Sequence, residues 1–122
     1  MKSSIAAISL AALCLSSAAY ADGDADAGKK VFRQCAVCHS TAPGKTLLGP
    51  SLFGVVGRPS ASLPGFSYSD AMKAANKTWD EATLDAYLTK PQAMVPGTKM
   101  TFAGLSKAED RANVIAYLAT LK

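Results

Sequence analysis

Hydrophobic positions along this chain recur at helical spacing, and nowhere do they alternate in the two-residue rhythm of a half-buried strand. Ala27, Val31 and Phe32 share one side of a short helix predicted from Asp24 to about Gln34, with Asp24 or Asp26 set to favour its positive N-terminal end. Ser69 to about Ala75 fits two further helical turns. Thr78-Trp79-Asp80-Glu81 has the spacing of a capping box and predicts a helix through Leu84, Tyr87 and Leu88 that Pro91 stops. A second such box, Ser106 to Glu109, opens a last helix with Ala112, Ile115, Leu118 and Leu121 on its buried face. From Thr41 to Gly65 the chain is punctuated by proline and glycine and predicts loops. Loops that long need something to wrap around.

The N-terminus has a different pattern. Lys2 precedes a mostly apolar run from Ile5 to Ala19, and Ala19-Tyr20-Ala21 fits a signal-peptidase site, so residues 1–21 read as a cleaved secretory signal. The run is short for a hydrocarbon layer of about 30 Å and is interrupted by Ser9, Ser16 and Ser17, which argues against an anchor. Residues 22–122 then form one domain, periplasmic and without stable membrane insertion. Removal of 21 residues from 122 leaves 101, with few large apolar side chains. A domain of that size is marginal on surface-to-volume grounds, and a bound group could complete its core.

Charge adds little. The chain carries 13 basic and 9 acidic residues, and only Lys2 leaves with the signal. Lys29, Lys30, Lys45, Lys99 and Lys107 could form a patch for an acidic partner or simply a solvated surface. No nucleic-acid motif is present.

The chemistry lies in Cys35-Ala36-Val37-Cys38-His39. Cys-x-x-Cys-His is the attachment pattern of c-type haem: two thiols form thioethers to the porphyrin, and the adjacent imidazole reaches the iron from the same face. A thioredoxin-like pair would sit near a strand–helix–strand unit and needs no histidine. A structural zinc site needs four ligands, and His39 is the only histidine of the chain. A second axial donor must then come from methionine, lysine or tyrosine. Met100 ends Pro96-Gly97-Thr98-Lys99-Met100, a turn-forming approach between two helices, with Met94 as the fallback and Met72 the remaining methionine past the signal.

With these motifs in place the chain resembles the class I, mitochondrial-like cytochromes c. The resemblance covers nearly all of residues 24–122 and rests on the Cys35-to-His39 box, Leu48-Gly49-Pro50, Gly54-Val55-Val56-Gly57-Arg58, Pro64-to-Tyr68, Thr78-Trp79, Tyr87-Leu88, Pro96-to-Met100 with Phe102-Ala103-Gly104, and Ile115-to-Leu118. It implies an all-α fold, three main helices plus short helices and loops wrapped around one covalently bound haem c. It implies thioethers at Cys35 and Cys38, His39 as proximal and Met100 as distal ligand, and the Pro50 carbonyl accepting from His39. Tyr68 and Trp79 would hydrogen-bond a propionate with Arg58 nearby, Tyr87 would lie beside the Met100 sulfur, and Phe102 would line the haem. Gly28 and Phe32 would meet the last helix around Tyr117 and Leu118. The chain departs from that pattern at Met72, where an asparagine is common, and at Gln34, Gln92 and Ala93, where lysines usually ring the haem edge.

The function implied is a periplasmic one-electron carrier, not an enzyme, cycling Fe(II)/Fe(III) between transient protein donors and acceptors of respiration or photosynthesis, most simply as a monomer. Two other readings compete with it. One is a haem enzyme or gas sensor with an open sixth site; the other is a haem subunit fixed to a dehydrogenase or oxidase.

Overall fold

The computed structural model describes residues 23–122, and the signal expected over residues 1–21 lies outside them. The described residues contain α1 (Ala25–Val31), α2 (Asp70–Ala75), α3 (Glu81–Thr89), α4 (Pro91–Met94) and α5 (Ala108–Ala119), with a 3₁₀ turn, Phe32–Gln34, running on from α1. They include no strand, only an isolated antiparallel bridge between Pro59 and Thr78. The architecture is therefore all-α.

Local chemistry explains where the helices start. The Asp24 carboxylate accepts from the backbone N–H groups of Asp26 and Ala27 at 2.9 and 3.1 Å, capping α1. Ser69 Oγ does the same for α2, accepting from Met72 N–H at 3.0 Å. The two capping boxes expected from sequence do not form. Asp80 caps α3 instead, accepting from Thr83 N–H at 2.8 Å. Trp79, between Thr78 and Asp80, donates to Arg58 O at 2.9 Å and accepts from Gly57 N–H at 2.8 Å, while Asp80 N–H turns back to Thr78 O at 2.8 Å. At α5 the cap residue is Lys107, with no side-chain bond. Arg111 reaches back from the first turn to the Leu105 and Ser106 carbonyls at 2.8 and 3.2 Å and pairs with Asp85 at 2.8 Å, tying the start of α5 to α3. Pro91 follows the end of α3 as expected, and it also opens α4 as the first helical residue, where a missing N–H is no loss.

α1 packs across α5 at Gly28. A Cβ there would overlap the Asn113 carbonyl and lie 2.9 Å from the Tyr117 Cβ. Asp24 N–H donates to Asn113 Oδ1 at 2.8 Å, and the Phe32 and Tyr117 rings sit 5.2 Å apart beside this crossing. The buried face of α5 is Val114, Ile115 and Leu118; Ala112 is only half-buried, and Leu121 packs on the core from beyond the helix end. Val114 is the most deeply buried of these and replaces Ala112 on the face expected from sequence. Phe32, Val55, Trp79, Leu84, Tyr87, Val95 and Leu105 complete the core.

The long Pro- and Gly-rich segment is irregular but well bonded. Leu52 N–H donates to Ser40 O at 2.9 Å, Ser60 N–H to Lys77 O at 2.8 Å, and Gly54 N–H to Leu121 O at 2.6 Å. These bonds fasten it to the haem-attachment turn, to the approach to α3 and to the C-terminus.

Gly28→Ala should destabilise the folded chain by about 1–3 kcal/mol, since the helices must move apart to admit a methyl group. A denaturant titration checks this, and an unchanged midpoint would sink the claim of a close crossing.

Candidate haem site

The attachment motif forms one helical turn. His39 N–H donates to Cys35 O at 2.9 Å and Cys38 N–H to the same carbonyl at 3.0 Å. Residues three and four apart on such a turn share a face, so both thiols and the imidazole emerge together. Cys35 and Cys38 are free thiols. Burial pushes the Cys35 thiol up, and neighbouring Cys38 adds to the effect, so Cys35 stays protonated at neutral pH.

His39 is oriented by its backbone surroundings. Its Nδ1 lies 2.7 Å from Pro50 O. A carbonyl can only accept, so Nδ1 carries the proton and Nε2 keeps a lone pair for a metal. Burial lowers the His39 pKa, the Pro50 carbonyl opposes this, and the Arg58 charge works with burial. The ring is seated against Gly49, where a Cβ would overlap ring atom Cε1 and stand 2.8 Å from Nδ1. Gly49 N–H in turn donates to Cys38 O at 2.8 Å, which locks this segment to the attachment turn.

Met100 sits on the segment between α4 and α5. The Tyr87 hydroxyl donates to Met100 Sδ at 3.8 Å. Burial raises the Tyr87 pKa, against a smaller lowering from the Thr98 hydroxyl, so the phenol keeps its proton and remains a donor. Met100 N–H donates to Thr98 Oγ1 at 3.2 Å. Met72 and Met94 are half-buried against the core, and Phe102 packs there as well.

An unbroken run of contacts links the His39 end to the Met100 end. Ser51, next to Pro50, is fully buried and donates from Oγ to Ala42 O at 2.6 Å. The Arg58 guanidinium donates to Ser51 O at 3.1 Å and Phe53 O at 3.2 Å. Arg58 is bonded through its backbone to Trp79, the Trp79 and Tyr87 rings lie 4.8 Å apart, and Tyr87 reaches Met100. Burial lowers the Arg58 pKa, and the Tyr68 phenol opposes the shift electrostatically. The Tyr68 hydroxyl accepts from Leu63 N–H at 3.2 Å, leaving its own proton free to donate, and its ring packs edge-on to Phe66 at 4.8 Å. An open depression of about 510 Å³ adjoins Tyr68, bounded by Ser69, Lys73, Gly97 and Lys99 among others. It contains none of the thiol, imidazole or thioether groups, so it borders the site rather than forming it.

The donor set fits a covalently held haem: two protein thiols on one turn with an imidazole whose Nε2 is free, and a thioether held by a neutral phenol. Together with the all-α fold it defines a small single-haem protein of the c type. Residues 25–122 match the family model described as cytochrome c. The chain is 57% identical over 111 residues to cytochrome c2 of Rhodomicrobium vannielii, covering 90% of this chain and 89% of that one. It is 55% identical over 101 residues to cytochrome c2 of Rhodoblastus acidophilus, covering 82% of this chain and 94% of that one. Among solved structures, cytochrome cH from Methylobacterium extorquens superposes with a TM-score of 0.77 at 44% identity, over 80% of this chain and 99% of that chain. The protein belongs to the cytochrome c family, with the cytochrome c fold, one covalent haem c and electron transport as its function.

Sequence reasoning missed three contributors to the site. Gly49 was visible only as part of a motif, with no signal for its contact with the His39 ring. Ser51 reads as an ordinary loop serine. Gln92 appeared only as a missing lysine, yet its Nε2 donates to Met100 O at 3.2 Å and Phe102 O at 3.0 Å.

Met100→Ala should lower the reduction potential of the haem-loaded protein and abolish the near-infrared thioether-to-iron band. An unchanged spectrum would transfer the ligand role to Met94.

Proposed function

We propose that residues 22–122 form a monomeric periplasmic carrier, not an enzyme, that passes single electrons between transient protein donors and acceptors through a haem ligated by His39 and Met100. The observation that carries this reading is the contact run from Pro50 through Arg58, Trp79 and Tyr87 to Met100, which braces both axial donors within one framework. The N-terminal Lys2, the apolar run and Ala19-Tyr20-Ala21 support export. No helix among the described residues is long and apolar enough to cross a membrane.

Bound haem supplies the Fe(II)/Fe(III) couple. Cys35 and Cys38 hold its porphyrin by thioethers. His39 presents Nε2 while Pro50 fixes its ring, and Met100 offers a neutral thioether that favours the ferrous state and raises the potential. Because both donors are held in place, the same ligands serve both oxidation states and little of the protein must reorganise. Trp79, Tyr68 and the nearby Arg58 charge would offset the cost of a buried propionate. Tyr87 and Phe102 would shield the methionine side from water.

Three large apolar side chains are exposed on and beside the attachment turn. Val37 and Leu48 are 75% and 80% exposed, Leu47 is 43% exposed, and the Gly49–Cys38 bond holds their two segments together. With Gln34, Gln92 and Ala93 in place of lysines, this edge supports a partner contact made by apolar area more than by charge.

Two measurements test the proposal. The reduced protein at neutral pH should bind carbon monoxide slowly and incompletely, and fast stoichiometric binding would indicate an open iron and an enzyme or sensor. Its second-order rate with isolated membrane redox complexes should fall by less than about threefold between low and physiological salt, because apolar contacts are not screened. A steep fall would place recognition on the lysines instead.

A further inference from the structure

Met100 lies on a stretch with almost no secondary structure of its own. Val95 anchors one end, 2% exposed and donating to Pro91 O at 2.9 Å; Leu105 anchors the other, 6% exposed and donating to Leu88 O at 2.7 Å. Nine residues separate these anchors. Within them, Thr98 N–H closes a turn on Val95 O at 3.0 Å, and Met100 N–H is satisfied locally by Thr98 Oγ1. Both of these bonds stay inside the segment.

The Gln92 amide binds the segment from outside. Its Nε2 carries two N–H donors, and it reaches Met100 O at 3.2 Å and Phe102 O at 3.0 Å, the two carbonyls that flank Thr101. Gln92 is also rigidly based. It follows Pro91, which is buried and has a ring-locked φ at the first position of α4, so the root of the side chain is fixed relative to the core.

We propose that Gln92 is a positioning residue for the axial thioether. Its amide clasps the backbone on both sides of Thr101 and so limits the excursions by which the Met100 sulfur leaves the iron. This rests on Met100 being the distal ligand. Without the clasp the middle of the segment is tethered by the Tyr87 contact, by the long Lys99 Nζ bond to Ser67 O at 3.4 Å, and by the bond from Met100 to the metal, and none of these holds the Met100 and Phe102 carbonyls. The core anchors Val95, Leu105 and Tyr87 do not depend on Gln92, so its loss acts on ligand exchange before it acts on folding.

The test uses the haem-loaded, oxidised protein and added imidazole, which occupies the iron only after the thioether has left. Decay of the near-infrared thioether band gives the limiting substitution rate. Gln92→Ala and the near-isosteric Gln92→Glu, which has no donor, should each raise that rate roughly tenfold, the worth of two modest hydrogen bonds. Gln92→Lys, which restores donors on a side chain of similar reach, should stay close to the unmodified protein. The denaturant midpoint of the reduced form should be unchanged in all three. An unaltered rate in Gln92→Ala overturns the clasp, and so does an equal rise in all three variants, which would mean lost packing. If the unmodified protein lacked the near-infrared band, both the Met100 ligation and the clasp would fall together.

Discussion

Gly28 has no side chain where α1 crosses α5, and that missing carbon sets the distance between the first and last helices. The crossing brings the Asp24 backbone to Asn113 and Phe32 to Tyr117, so a helix that precedes the attachment turn is packed on one that begins after Met100. Every residue proposed to contact haem, from Cys35 to Phe102, lies between those helices in sequence. Once they are clamped, the intervening residues form a closed loop, and the loss of chain entropy that closure demands has already been met at a site remote from the iron.

Within that loop the protein uses few regular elements and many specific bonds. Cys35 to His39 is a single turn, Gly49 and Pro50 receive its imidazole, and Arg58 gathers the carbonyls of Ser51 and Phe53. Trp79 and Tyr87 continue the framework to Met100. A carrier benefits from this arrangement. Backbone carbonyls and aromatic rings held by long-range contacts move little when one electron arrives, whereas exposed flexible ligands would reorganise around the changed charge. The same irregularity places the attachment turn beside an exposed apolar edge at Val37, Leu47 and Leu48.

The departures from sequence expectation share one cause. Thr78-x-x-Glu81 and Ser106-x-x-Glu109 satisfy a local capping rule, yet neither Thr78 nor Ser106 caps a helix. Trp79 is bonded through its backbone to Arg58 and Gly57, with Asp80 turned back onto Thr78, and Arg111 occupies the carbonyls of Leu105 and Ser106 on its way to Asp85. In each case the backbone around the box is held by residues distant in sequence, and the local capping preference, worth about 1 kcal/mol, does not prevail. Val114 outranks Ala112 on the buried face of α5 for a similar reason: periodicity locates a stripe, but the partner helix decides which edge of it is covered.

Sequence alone determined the all-α class, four of the five helices near their final bounds and the covalent haem, and it singled out Met100 as the candidate axial methionine. Those features depend on residue type at short, fixed spacing, which a linear chain displays directly. Only the tertiary structure decided that Gly49 yields space to the His39 ring, that Asp80 starts α3, that Arg58 joins the proximal and distal sides, and that Gln92 holds the segment bearing Met100. Each of these is a meeting of atoms separated along the chain, and such meetings exist only after the backbone has closed on itself.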